Sequence, residues 1–242
     1  MIEQINIKGY AIHIPKINLI GVELEGGWHE KPEKYPIIHD GSVGVNARYY
    51  GEIPSPPMKP NAIVKFIDEC YPDVVNSSCG FHVHISTKSS KDYGALMTEA
   101  FYLDFVKWAK ALGKKMKLDL NHEFYKRLED RNGYSTYCRK GVPNFMEQVV
   151  ATGKQGVRYK QLNFCWSQHG TLEMRLMPAW AKKSEAIFAL ASYLRFVNGW
   201  LVKNGEARQI KKQNINLEAD FIETESTSII EEGLTKTIQP TI

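Results

Sequence analysis

Three short stretches of the chain alternate ionisable and apolar residues with a period of two. From Val22 to Gly26, Glu23 and Glu25 project together while Val22 and Leu24 take the other side. From Phe81 to Ser86, His82, His84 and Ser86 oppose Phe81, Val83 and Ile85; from Leu172 to Leu176, Glu173 and Arg175 oppose Leu172, Met174 and Leu176. Successive side chains of a strand point to opposite faces, so each stretch presents an apolar face and an ionisable one. If the strands share a sheet, the ionisable faces converge, and Glu52 can join them from a fourth strand. Two carboxylates about 5 Å apart repel by roughly 3 kcal/mol at an effective dielectric near 20. Such a group is tolerated when protons or cations neutralise it. Carboxylates with an imidazole make an oxygen-rich site that suits Mg²⁺ or Mn²⁺ better than the thiolate-rich sites of structural zinc.

Each feature taken singly has a plainer reading. An E-x-E pair can be a solvated strand face, and an H-x-H pair can be a hydrogen-bonded surface pair or a Zn²⁺ site. An E-x-R pair is commonly a cross-strand ion pair. Asp40, in the stretch His39–Gly44, reads as a turn cap. The matching parity of all three stretches favours a shared site.

The elements that must position these residues are legible in outline. Strands are expected at Tyr10–Ile14, Leu19–Gly27, Ala47–Pro54, 80–87, Arg158–Trp166 and Thr171–Met177, the last two as a hairpin across Ser167–Gly170. An amphipathic helix carries Ile63, Phe66, Ile67 and Cys70, capped by Asn61 and stopped by Pro72. A long helix is expected from about Lys91 to Leu112, capped by Ser89 or Ser90 and stopped by Gly113. Shorter helices are expected near His122–Asp130 and after Asn144, and a further one from Ser184 to about Lys203, ended by Gly205. This order implies an α+β domain over residues 1–205, a mainly antiparallel sheet with helices packed on one face. Residues 206–242 form a polar tail, either loosely docked or a partner-binding arm.

Composition bounds the function. The 242 residues carry a net charge of +4 and no basic block, which excludes a typical nucleic-acid binder. A hydrophobic share of 43% with 24% charged residues is globular rather than disordered. The cysteines, Cys70, Cys79, Cys138 and Cys165, have no CxxC spacing and read as reduced thiols. With no apolar run of about 20 residues and no signal-peptide pattern at the start, the expectation is a soluble cytoplasmic protein with no membrane partner.

The motifs together resemble a known family. Asn76-Ser-Ser-Cys-Gly-Phe-His-Val-His-Ile-Ser86 is similar to the glutamine synthetase pattern N-G-S-G-x-H-x-H-x-S, with one extra residue before the glycine. Glu23-Leu-Glu25 resembles that superfamily's E-x-E, and Leu172-Glu-Met-Arg175 with Pro178 resembles its I-E-x-R-x-P, shifted by one. The compact length and the forms GVELE, DGS, GEIPSPP, CGFHVHIS, RYKQLN and TLEMRL look more like the amidoligase family, small members of the glutamine synthetase-like carboxylate–amine ligase superfamily. The match spans about residues 19–180.

The resemblance implies a curved, funnel-forming antiparallel sheet, glutamine synthetase catalytic-domain-like, with ATP entering one end. It implies that ATP phosphorylates a carboxylate of an amino acid or peptide and that an amine displaces the phosphate. Carried over, Glu23, His82 and Glu173 hold the Mg²⁺ (or Mn²⁺) that bridges the nucleotide phosphates, and Glu25 and Glu52 hold the metal on the acceptor side. His84 contacts a phosphate, Arg175 steadies the transferring phosphoryl with help from Arg158, and Ser86 lines the nucleotide pocket. Glutamine synthetase is much longer and its subunit-interface loops have no counterpart here, so its ammonia site, glutamate site and ring oligomer are not carried over, and the oligomeric state stays open. Asn163 falls on the opposite parity from Arg158. Glu23→Ala and Glu173→Ala are expected to abolish turnover with the fold intact. Two rival readings remain: a metal-dependent hydrolase using the same His/Glu cluster, and a non-enzymatic scaffold.

Overall fold

A computed structural model describes residues 4–7, 10–131, 137–141, 159–165 and 169–204. The first elements are a two-stranded antiparallel ribbon of β1 (Gln4–Ile7) and β2 (Tyr10–His13). The main sheet contains β3 (Ile17–Trp28), β4 (Tyr49–Pro54), β5 (Phe81–Thr87), β6 (Leu162–Cys165) and β7 (Thr171–Met174). Its spatial order is β4-β3-β5-β7-β6, and every neighbouring pair is antiparallel. The helices are α1 (Pro60–Cys70), α2 (Ser90–Leu96), α3 (Glu99–Lys115), α4 (Glu123–Glu129) and α5 (Lys183–Asn204). The architecture is α+β, and no helix among the described residues is long and apolar enough to cross a membrane.

The period-two pattern decides which way each strand faces. Val22, Leu24, Phe81, Val83, Ile85, Leu172 and Met174 are buried in one core with Ile63, Phe66 and Ile67 of α1, Phe101 and Phe105 of α3, and Leu190, Tyr193 and Leu194 of α5. Burying this apolar side leaves the ionisable side of the same strands on the opposite face. Register is therefore strongly specified, because a slip of one residue would drive Glu23 or His82 into the core.

Several expectations need correction. The single helix expected over 91–112 is two helices, because Thr98 caps α3 by accepting the Phe101 amide after α2 ends at Leu96. Gly113 lies inside α3 rather than ending it. The helix closes one turn later with Lys117 at φ 54° and a Leu118 amide reaching the Gly113 carbonyl. Asn61 does not cap α1: Lys59 occupies the cap position without a side-chain bond, and Pro60 begins the helix, where a missing N–H costs nothing. Tyr71 is extended, as a residue before proline prefers, so the helix does stop ahead of Pro72. Of the strand expected over Arg158–Trp166, the described residues show Leu162–Cys165, and that over Thr171–Met177 ends at Met174. The helix expected after Asn144, Arg158, Gly205 and the tail over 206–242 lie outside the described residues.

The segment before β4 makes a close approach. Ile38 exchanges backbone hydrogen bonds with Glu52, 2.8 and 2.9 Å, laying residues near Asp40 beside the edge strand. Gly51 permits this: its φ is +141°, and a Cβ there would run into the Ile38 carbonyl.

Candidate metal and phosphate site

Strand register assembles the site. Glu25 of β3 stands opposite Glu52 of β4, and Glu23 stands opposite His82 of β5. His84 stands opposite Glu173 of β7, which in turn faces Asn163 of β6. All of these share the face that the core does not use.

One group centres on Glu23. Its two carboxylate oxygens accept from His82 Nδ1 at 2.7 Å and from His84 Nε2 at 3.1 Å. Burial would raise the Glu23 pKa, but these two imidazole hydrogen bonds outweigh it and hold the carboxyl well below its ordinary value. Burial likewise pulls the His84 pKa down, and the bond to Glu23 with the charge of Glu173 more than restores it, so the ring favours its charged form. Glu173 is buried, and burial again opposes its charge; Arg175, His84 and His82 overcome that and keep it ionised. Arg175 Nη1 donates to Glu173 Oε1 at 2.5 Å, and Asn163 Nδ2 donates to Glu173 Oε2 at 3.0 Å. The guanidinium also donates to the Tyr137 carbonyl at 3.2 Å and lies over the Tyr159 ring, 5.7 Å from its centroid.

A second group lies toward the sheet edge. Oxygens of Glu25, Asp40 and Glu52 come within 4.8 Å of one another, as do ligand atoms of Glu23, His82 and Glu173. Glu25 is buried, and the Gly80 amide donates to its Oε2 at 2.5 Å. Gly80 is required by space, since a Cβ there would collide with the His82 ring and press on Glu25. Burial and the charges of Glu23, Asp40 and Glu25 push the Glu52 pKa up to about 7. The His82 ring lies between the groups, with Nδ1 toward Glu23 and Nε2 3.5 Å from Glu25.

The sequence-predicted residues Glu23, Glu25, Glu52, His82, His84, Glu173 and Arg175 are thus brought together. Ser86 is on the same strand face, but its hydroxyl accepts from the Leu19 amide at 3.1 Å, beside the register shift between Ile17 and Leu19. Asp40 does cap its turn, accepting from the Ser42 amide and hydroxyl at 2.7 Å each, and it also joins the second carboxylate group. Sequence reasoning singled out Asn163 without giving it a role, and missed Thr171 and Cys165. The Thr171 hydroxyl meets His84 Nδ1 at 3.1 Å, and the Cys165 thiol lies 3.7 Å from Glu173 Oε2. The signal for Asn163 and Cys165 was the alternation Leu162-Asn-Phe-Cys165, with the apolar members inward. The expectation that Glu173→Ala spares the fold is also revised. That change would strand the largely buried Arg175 guanidinium, 11% exposed, and breaking a fully buried pair of this kind costs about 3–5 kcal/mol. Glu23, with its side chain 26% exposed, is the safer site for truncation.

The donor set fits a hard divalent cation: carboxylate oxygens with one imidazole, and no available thiolate, since burial and Glu173 push the Cys165 thiol far above its ordinary range. Charge-assisted donors at one end, Arg175 and His84, suit phosphoryl oxygens. No family model matches this chain, and no curated protein or solved structure matches it.

Proposed function

We propose that the chain is an ATP- and Mg²⁺-dependent carboxylate–amine ligase that forms an amide on an amino acid or peptide, as the family resemblance implies. One observation carries the reading: residues from β3, β4, β5 and β7, widely separated in sequence, meet on one face in the arrangement that the motifs required. On this reading the sheet is the curved, funnel-forming sheet of glutamine synthetase catalytic domains.

Glu23, His82 and Glu173 would hold one Mg²⁺ (or Mn²⁺), and Glu25 and Glu52, with Asp40 beside them, a second. The bound ions supply neutralisation of phosphate charge, which phosphoryl transfer needs more than it needs covalent help. The chain's own residues do the rest. Arg175, held on Glu173 and Tyr137, presents a fixed positive charge to the phosphoryl group in transit. His84, whose protonation Glu23 and Glu173 favour, donates to a phosphate oxygen. The carboxylate oxygen of the acceptor forms the new P–O bond as the bond to ADP breaks. The amine nitrogen then forms the C–N bond as phosphate leaves with that oxygen, and the amine's proton passes to a base.

The test is ADP release across a panel of amino acids and peptides. The reading expects release that needs a carboxylate, an amine and Mg²⁺ together. Mg²⁺-independent release contradicts it, and tight Zn²⁺ binding with no response to ATP contradicts it and supports the metal-dependent hydrolase instead.

A further inference from the structure

The Glu25 carboxylate is oriented from outside the sheet. Arg127 belongs to α4 and is 6% exposed. Its Nη1 donates to the Met177 carbonyl at 3.2 Å, and its Nη2 donates to the carbonyls of Ser77 at 3.1 Å and Cys79 at 2.8 Å. The Cys79 carbonyl and the Gly80 amide are the two edges of a single peptide group. That group is planar and trans, so the two point in opposite directions. Arg127, with the Ala179 amide that donates to the same carbonyl at 3.0 Å, therefore holds one edge while the other donates to Glu25 at 2.5 Å. A cation on the carbonyl polarises the peptide and strengthens its N–H as a donor, because hydrogen bonds in a chain reinforce one another away from water.

Arg127 is itself fixed. The Gln161 amide group, fully buried beside β6, donates to the backbone carbonyls of Arg127 and Leu128 at 2.8 Å each, and Tyr102 holds the other end of Gln161 at 2.9 Å. The guanidinium thus ties together the chain just before β5 and the chain just after β7, the strands that carry His82, His84 and Glu173.

We propose that Arg127 is a positioning residue that acts through the Cys79–Gly80 peptide to set the Glu25 carboxylate. Its consequence for cation binding rests on the reading of Glu25 given above, but the positioning is measurable in the metal-free protein. The experiment is NMR of the full chain. A short bond to a carboxylate places the Gly80 amide proton downfield. In Arg127→Lys, which keeps the charge but loses the fork, that proton moves upfield and exchanges at least tenfold faster, while the Val83 and Ile85 amides in the middle of β5 do not move. Glu25→Gln, at the other end and outside the core, tests the same link if the Arg127 variant fails to fold: the Arg127 guanidinium protons shift. A Mg²⁺ titration followed at the Gly80 amide shows a midpoint about tenfold higher in Arg127→Lys, the usual loss when support for a ligand is removed. A Gly80 signal unchanged in Arg127→Lys, or guanidinium signals unchanged in Glu25→Gln, overturns the proposal. A wild-type Gly80 signal that ignores Mg²⁺ counts against the cation reading, and the shift comparison still decides the positioning.

Discussion

Glu52→Gln should make the metal-free protein more stable at alkaline pH, although it replaces a charged residue at a candidate site. Glu52 has its pKa raised from 4.5 to about 7 by burial and by Glu23, Asp40 and Glu25. Between those values the folded state keeps a proton that the unfolded chain has released. Stability from this group therefore falls as pH rises through that window, and the penalty is complete above about 7. At about 1.36 kcal/mol per pKa unit the shift corresponds to roughly 3 kcal/mol. A direct estimate agrees: two unit charges 4.8 Å apart repel by about 3.5 kcal/mol at an effective dielectric near 20. Glu52 is only half-buried, so solvent screening reduces the figure to about 1–2 kcal/mol. For a chain of this length that is a Tm increase of about 3–6 °C. The assay is thermal unfolding with a chelator present, near pH 8 and near pH 5. The variant should gain at the higher pH and change little at the lower one. A loss of stability near pH 8, or equal shifts at both pH values, would refute the assigned repulsion. Adding Mg²⁺ should reverse the ranking, because the ionised wild-type carboxylate is then neutralised by the ion.

Other consequences are checked more briefly. Glu173→Gln keeps an acceptor for Arg175 but removes the charge, so Mn²⁺ affinity measured by calorimetry should fall at least tenfold while the protein stays folded. Mn²⁺ affinity of the wild type should tighten as pH rises through about 7, where Glu52 loses its proton, and Glu52→Gln should flatten that dependence. Gly51→Ala should cost at least about 1–3 kcal/mol in chemical denaturation, because φ +141° and the Ile38 carbonyl both resist a Cβ.

The sequence revealed the strands that carry chemistry better than the helices behind them. In β3 and β5 a period of two is enforced by a buried face, so parity alone predicted which residues would meet. Helix ends depend on single local choices. Thr98 looked like an interior residue of a long helix, yet its hydroxyl made a better start for α3 than a continuation of α2. Gly113 looked like a stop, but the chain could adopt a left-handed turn at Lys117 instead. Asp40 was read as a turn cap, which it is; that it also reaches Glu25 and Glu52 depends on the edge pairing of Ile38, which leaves no pattern in composition. Arg127 had no motif at all, because its partners are backbone carbonyls and a carbonyl is anonymous in sequence.

The proposed activity requires that this face hold divalent ions for a nucleotide. Electron paramagnetic resonance of Mn²⁺ titrated into the protein, with and without a non-hydrolysable ATP analogue, measures that directly. Two bound ions per chain are expected in the presence of the analogue, with one lost in Glu23→Gln. Equal Mn²⁺ binding with and without the analogue, unaffected by Glu23→Gln, would contradict it.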